Sequence, residues 1–149
     1  MEISKLFKLE RNCSGTGINH EGEEFRGTIK LVPVACGKGL RIEFSAISKK
    51  DEIFHEESSL LGPRLDGKLC LFVLSNNHPG VLPHILKRED KTEKGHSFVF
   101  GFGDVADVNT FREEIVLTIC DDSSLEYTYF WGMPGGTFEL RSGVKMVAV

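Results

Sequence analysis

Alternation with a period of two, repeated along most of the chain, is the feature that most restricts this sequence. Leu40, Ile42, Phe44 and Ala46 alternate with Arg41, Glu43 and Ser45. Phe98, Phe100 and Phe102 alternate with Ser97, Val99 and Gly101. Phe111, Ile115, Leu117 and Ile119 share a parity against Arg112, Glu114, Val116 and Thr118, and Leu125, Tyr127, Tyr129 and Trp131 follow with theirs. Successive side chains of a strand point to opposite faces, so these runs read as strands with one face buried. Turn signals separate them: Cys36-Gly37-Lys38-Gly39, Ser48-Lys49-Lys50-Asp51, Asp66-Gly67, Asp121-Asp122-Ser123-Ser124 and Pro134-Gly135-Gly136. The spacing predicts strands over 12–19, 24–35, 38–48, 51–61, 67–75, 80–87, 95–104, 109–120, 124–133 and 136–148. The polar 87–94 segment reads as an exposed hairpin loop. Residues 1–10 carry Ile3, Leu6, Phe7 and Leu9 at spacings that fit a short helix, with a first strand as the alternative.

About ten consecutive strands joined by short turns form an antiparallel meander, whose two open edges invite aggregation. Closing the meander into a barrel removes both edges. A Greek-key sandwich needs a long crossover, and the only candidate is the stretch around 76–83. The expected fold is therefore all-β, an up-and-down antiparallel barrel. Barrels of eight or more strands have room for a small ligand.

Composition supports one domain spanning 1–149 and excludes several function classes. The 11 Phe suit strands and the 16 Gly suit turns. A net charge of −4 argues against nucleic acid. No apolar run approaches a transmembrane helix, so no membrane partner is expected. Residues 1–10 lack the apolar run of a secretory signal, which makes a cytoplasmic location the default expectation. Cys13, Cys36, Cys70 and Cys120 are scattered without a CxxC pair and read as reduced thiols.

The order of motifs then carries a resemblance. Gly15-Thr16-Gly17 is followed by Gly27-Thr28-Ile29-Lys30-Leu31, Gly37-Lys38-Gly39-Leu40, Phe54-His55-Glu56-Glu57, Leu61-Gly62-Pro63, Asp66-Gly67-Lys68-Leu69, Leu74-Ser75-Asn76-Asn77 and Pro79-Gly80. The series resembles the calycin-like barrels of the nitrobindin and fatty-acid-binding type. That resemblance implies a ten-stranded barrel with a central site for an apolar or amphipathic ligand. It also implies a heme histidine near the C-terminus, but 137–149 contains none and the last histidine is His96. Heme is therefore not carried over and no cofactor is expected. Arg112 and Arg141 lie on late strands, as the carboxylate-binding arginines of fatty-acid carriers do. Alternation places Arg112 opposite the Phe111 face, so that role is not assigned to it.

Several polar residues interrupt apolar rows. His55, Glu56 and Glu57 cluster in one strand. If Phe54 points inward, Glu56 and Ser58 do too, and a buried carboxylate there could do acid–base work. Glu113 shares the Phe111/Ile115/Leu117 face and needs a partner; Tyr127, Tyr129 or an arginine is expected, with a bulge that turns it outward as the alternative. Asn76, Asn77, His78, Pro79 and His84 suit a turn at the barrel rim, and no zinc spacing is present. Tyr127, Tyr129 and Trp131 lie on one strand face as ligand wall or plain core. No phosphate loop or nucleophile elbow occurs. The reading is a binder of a small apolar or amphipathic molecule through Glu56, Asn76, His78, Glu113, Tyr127, Tyr129 and Trp131. The alternatives are a barrel enzyme using Glu56 or Glu113 as acid–base, and a filled barrel acting as an interaction module. Assembly as a homodimer is left open.

Overall fold

The computed structural model describes residues 2–149; Met1, part of the expected N-terminal helix, lies outside them. One helical turn, α1 (Ile3–Leu6), precedes ten strands. These are β1 (Arg11–Asn19), β2 (Glu24–Val34), β3 (Gly39–Ser48), β4 (Ile53–Pro63) and β5 (Leu69–Ser75). They continue as β6 (Leu82–Lys91), β7 (Gly95–Phe102), β8 (Arg112–Cys120), β9 (Leu125–Gly132) and β10 (Glu139–Ala148). Each strand pairs antiparallel with the next, and β10 pairs with β1, so the sheet closes. The expected all-β meander barrel with one short helix is the observed fold. No described helix is long and apolar enough to cross a membrane.

Two expectations are corrected. The 87–94 segment is mostly strand: β6 runs on to Lys91 and only the turn after it is loop. A register shift between Leu86 and Arg88 makes Lys87 the extra residue of a bulge, and this breaks the alternation that marks strands in sequence. On β4 the inward row is His55, Glu57, Ser59 and Leu61, while Glu56 and Ser58 are exposed. The cause is a second shift. Ala46 pairs with His55 but Ile47 pairs with Ile53, which leaves Phe54 as the unpaired residue. Parity counted from Phe54 therefore comes out inverted.

The barrel interior has two unlike halves. At the end where β1 begins, Cys13, Leu31, Leu40, Leu61, Leu71, Phe98, Leu125 and Met146 are completely buried. Leu6 of α1 joins this cluster and plugs that end. Burying each large apolar side chain contributes about 1.5–3 kcal/mol. The opposite end carries the β1–β2, β3–β4, β5–β6, β7–β8 and β9–β10 connections, and forms the mouth. Arg112 points away from the interior, as alternation requires, yet is buried beneath two of those connections. Its Nη1 donates to the Thr110 and Met133 carbonyls and its Nη2 to that of Gly136. The guanidinium fits there because residue 132 is glycine; a Cβ at that position would stand 2.6 Å from Arg112 Cζ.

Closure of β1 on β10 also depends on a glycine. A Cβ on Gly15 would stand 1.9 Å from the backbone oxygen of Lys145, which cannot rotate aside. Gly80 faces open space. Gly15→Ala should cost about 1–3 kcal/mol or more, whereas Gly80→Ala should stay within about 0.5 kcal/mol of the parent. Paired thermal melts measure both. Equal melting temperatures would show that the β1–β10 seam is not where the barrel is tightest.

Candidate functional site

The mouth-side half of the interior holds two buried carboxylates, and each collects donors from other strands. Glu57 on β4 receives Tyr127 Oη at 2.6 Å on Oε2 and Tyr129 Oη at 2.9 Å on Oε1, both from β9. Glu57 and both tyrosines are buried. Burial, followed by the charge of Glu57, raises both tyrosine pKa values far above 10, so the hydroxyls stay protonated as donors.

The Glu57 cluster extends to the surface in a fixed order. Asn77 Nδ2 donates to His55 Nδ1 at 2.8 Å and to the Phe54 carbonyl. Nδ1 of His55 is then the acceptor, which leaves Nε2 to donate to Tyr129 Oη at 3.2 Å. Tyr129 in turn donates to Glu57. The series Asn77, His55, Tyr129, Glu57 is thus a directed chain from rim to core.

Glu113 on β8 forms the second cluster, and here the expected partners are wrong. No tyrosine or arginine meets it. Its Oε1 lies 2.8 Å from His84 Nε2 and its Oε2 lies 3.5 Å from His78 Nε2. The tyrosines expected to serve Glu113 serve Glu57 instead. His84, expected in a rim turn, is fully buried on the inward face of β6, where it pairs in register with Leu71. Its Nδ1 faces the Leu82 carbonyl at 3.2 Å, so the ring sits between two oxygen acceptors. Burial works to raise the Glu113 pKa, but the His78 and His84 contacts prevail and hold it at about 2. The same contact raises the His78 pKa above 6.5 against the opposing effect of burial, with the Glu113 and Glu57 charges adding to the rise.

The β5–β6 connection, residues 76–81, ties the two clusters together. Asn76 Oδ1 accepts the backbone N–H of Glu56 at 2.7 Å, Asn77 holds His55, and His78 reaches Glu113 while its ring packs on Phe111. The segment is a strap across the mouth fastened by side chains, beside a β5–β6 ladder of four register pairs. Trp131 pairs in register with Glu113 on the inward rows. Arg141 lies 4.2 Å over the Trp131 ring, and His20 meets the ring edge on.

Of the residues singled out in sequence, the structure brings together Asn76, His78, Glu113, Tyr127, Tyr129 and Trp131 at this end. Glu56 stands outside the barrel. Glu57, His55, Asn77 and His84 stood in the polar clusters read from sequence but were left out of the binding set. The available signal for His84 was its parity with Leu82 and Leu86 on one strand. Among the described residues no group of side chains is arranged to hold a metal ion.

Two outcomes follow for stability. Replacing Glu57 by Leu leaves two tyrosine hydroxyls without their acceptor, at about 1–3 kcal/mol each. Adding Tyr127→Phe and Tyr129→Phe to that variant should recover part of the loss. Urea melts of the single and triple variants test this, and a triple variant less stable than the single one would refute the pairing. The pH profile should be two-sided. Glu113 stabilises the fold above its unfolded value of 4.5, and this is lost as pH falls toward 2. His78 stabilises it fully below 6.5, and this is lost as pH rises through its raised folded value. His78→Gln should flatten the alkaline limb of the Tm–pH curve and shrink the acid limb in part, with His84 maintaining the remainder.

No protein-family model matches the chain, and no curated protein matches it. Among solved structures it is similar to a de novo designed fluorescence-activating beta barrel. The two share 12% sequence identity and a TM-score of 0.49, over 100% of this chain and 99% of that one.

Proposed function

We propose that the protein is a calycin-like, cytoplasmic carrier that binds a small amphipathic molecule at the mouth of the barrel. The polar end of the ligand accepts a hydrogen bond from His78, and its apolar body lies against Phe111 and Trp131. The observation that carries this reading is the placement of two donor-saturated carboxylates in the mouth-side half alone. Buried ion pairs are poor stabilisers: well-packed apolar replacements are often neutral or better by about 1–4 kcal/mol. The closed end shows that this barrel can pack an apolar half. Stability therefore does not account for Glu57, Glu113 and their histidines.

The outermost members of both clusters, His55 and His78, keep 16% and 13% of their side chains exposed. Glu57 and Glu113 are already bonded, and Asn77, His55 and Tyr129 spend their protons within their own chain of hydrogen bonds. His78 engages Glu113 through Nε2, and its raised pKa favours a protonated ring whose Nδ1 can donate. This favours a ligand ending in an acceptor such as a carboxylate or sulfonate. The directed chain from Asn77 to Glu57 also has the parts of an acid–base device. That second reading requires the ligand to leave chemically changed.

Trp131 is the single tryptophan and stands at the mouth, so it reports on the site directly. The amphipathic anion 1-anilinonaphthalene-8-sulfonate should bind saturably, quench Trp131, and weaken about fivefold or more in His78→Gln, which amounts to roughly 1 kcal/mol. Mass spectrometry of the recovered probe or native ligand separates carrier from enzyme. Unsaturable probe fluorescence with Trp131 unquenched would remove the mouth site.

A further inference from the structure

The outer surface of the barrel carries a concavity independent of the mouth. A groove of about 640 Å3 lies over the outward faces of β6 to β9. Its origin is legible in the register. Val99 pairs with Val116, Val116 with Thr128, and Thr128 with Gly143, so small side chains form the centre of the face. One row away, Ser97 and Thr118 pair and share a buried hydrogen bond of 2.8 Å between their hydroxyls. Large side chains stand around this floor. Phe130 and Phe138 are stacked along one side with ring planes 20° apart. The volume falls within the range of small-molecule sites, about 300–1,000 Å3.

The charges on the rim choose the ligand. Asp90, Glu93, Glu114 and Glu126 line the groove, against Arg88 and Lys94. Both cations are already engaged: Arg88 lies 2.9 Å from Asp90 and 3.8 Å from Glu114, and Lys94 lies 3.4 Å from Glu126. Glu114 and Glu126 keep only 14% and 22% of their side chains exposed, so each sits within the groove wall. The groove thus joins an apolar and hydroxyl floor and an aromatic side to an excess of carboxylate. We infer that the outer groove of β6–β9 is a binding site for a small flat cation, its ring against Phe130 and its ammonium or amidinium group at Glu114, which stands opposite Phe130 in the register, with Glu126 adding negative charge further along the groove. A ring against Phe130 gains stacking area, and a cationic head at Glu114 replaces the 3.8 Å contact that Arg88 makes with that carboxylate.

The test uses 2-naphthylmethylammonium, with 2-naphthalenesulfonate as its anionic counterpart, followed by amide NMR on the full chain. The cation should shift the amides of Val99, Val116, Thr128 and Phe130, with a dissociation constant on the order of 1 mM or tighter for a probe of this size. The sulfonate should leave those amides in place, whatever it does at Trp131. Thr128→Arg fills the groove and lowers its negative charge from an outward position, and should abolish the shifts while the rest of the spectrum persists. The Glu114→Gln/Glu126→Gln double variant should weaken binding about fivefold or more without filling the groove. The inference fails if the cation moves no groove amide up to about ten times that concentration, if the sulfonate moves the same amides equally, or if the double variant binds as the parent does. Each readout lies on the outer face, so loss of the mouth site leaves this result standing, and the reverse.

Discussion

Closure of β1 against β10 is the constraint on which everything else rests. A ten-stranded meander with free ends would expose two rows of backbone donors and acceptors. Joining them gives every strand two neighbours and creates an inside. The inside then imposes parity, because each strand must present its apolar row to the same space. That requirement explains why Gly15 stands where Lys145 comes close, and why Gly17 and Gly27 leave room for Phe25 and Val144. Small residues at the seam allow the strands to approach until the ring closes.

Once an inside exists, its two ends can be used differently, and this chain does so. Leu6 plugs one end and the residues above it are apolar. The other end is crossed by turns, one of which, the 76–81 strap, reaches inward with side chains. A carboxylate in such a space is tolerated only when its lone pairs are filled. Glu57 and Glu113 are filled from different directions, Glu57 by β9 and Glu113 by β6 and the strap. The division keeps two negative charges apart and gives each its own donors. Because Asn77 and His78 are adjacent in sequence, displacement of the strap loosens both clusters at once. The interior network and the covering of the mouth are therefore one mechanical unit.

The fold was legible because alternation survives wherever the ladder is regular. On β3, β7, β8 and β9 the apolar rows read from sequence are the inward rows observed. Legibility failed at the bulges. The extra residue Phe54 inverted the reading of β4 and hid Glu57 behind Glu56. The bulge at Lys87 disguised the second half of β6 as a loop. The inward position of Glu113 was visible from its row, but its partners were not. Tyr127 and Tyr129 are on the adjacent strand and seemed the natural donors. Across a closed barrel, however, an inward side chain meets residues from strands that are not its neighbours. Glu57 and Tyr127 are 70 positions apart in sequence and Glu113 and His84 are 29, distances that only closure brings within hydrogen-bond reach.

The same geometry explains why the outer face can hold a site of its own. An inward residue of a barrel is bound by the packing of the whole interior, whereas an outward residue answers only to its immediate neighbours on the sheet. The row Val99, Val116, Thr128 and Gly143 could lower its profile without disturbing Phe100, Ile115 or Tyr129, whose side chains leave the same strands on the opposite side. Carboxylates at the edges of that row stay partly hydrated and need no network like those of Glu57 and Glu113. Changes at the mouth clusters therefore act on the stability of the barrel, while changes in the groove are free of it. The two faces of β8 divide these roles at adjacent residues, Glu113 inside and Glu114 outside.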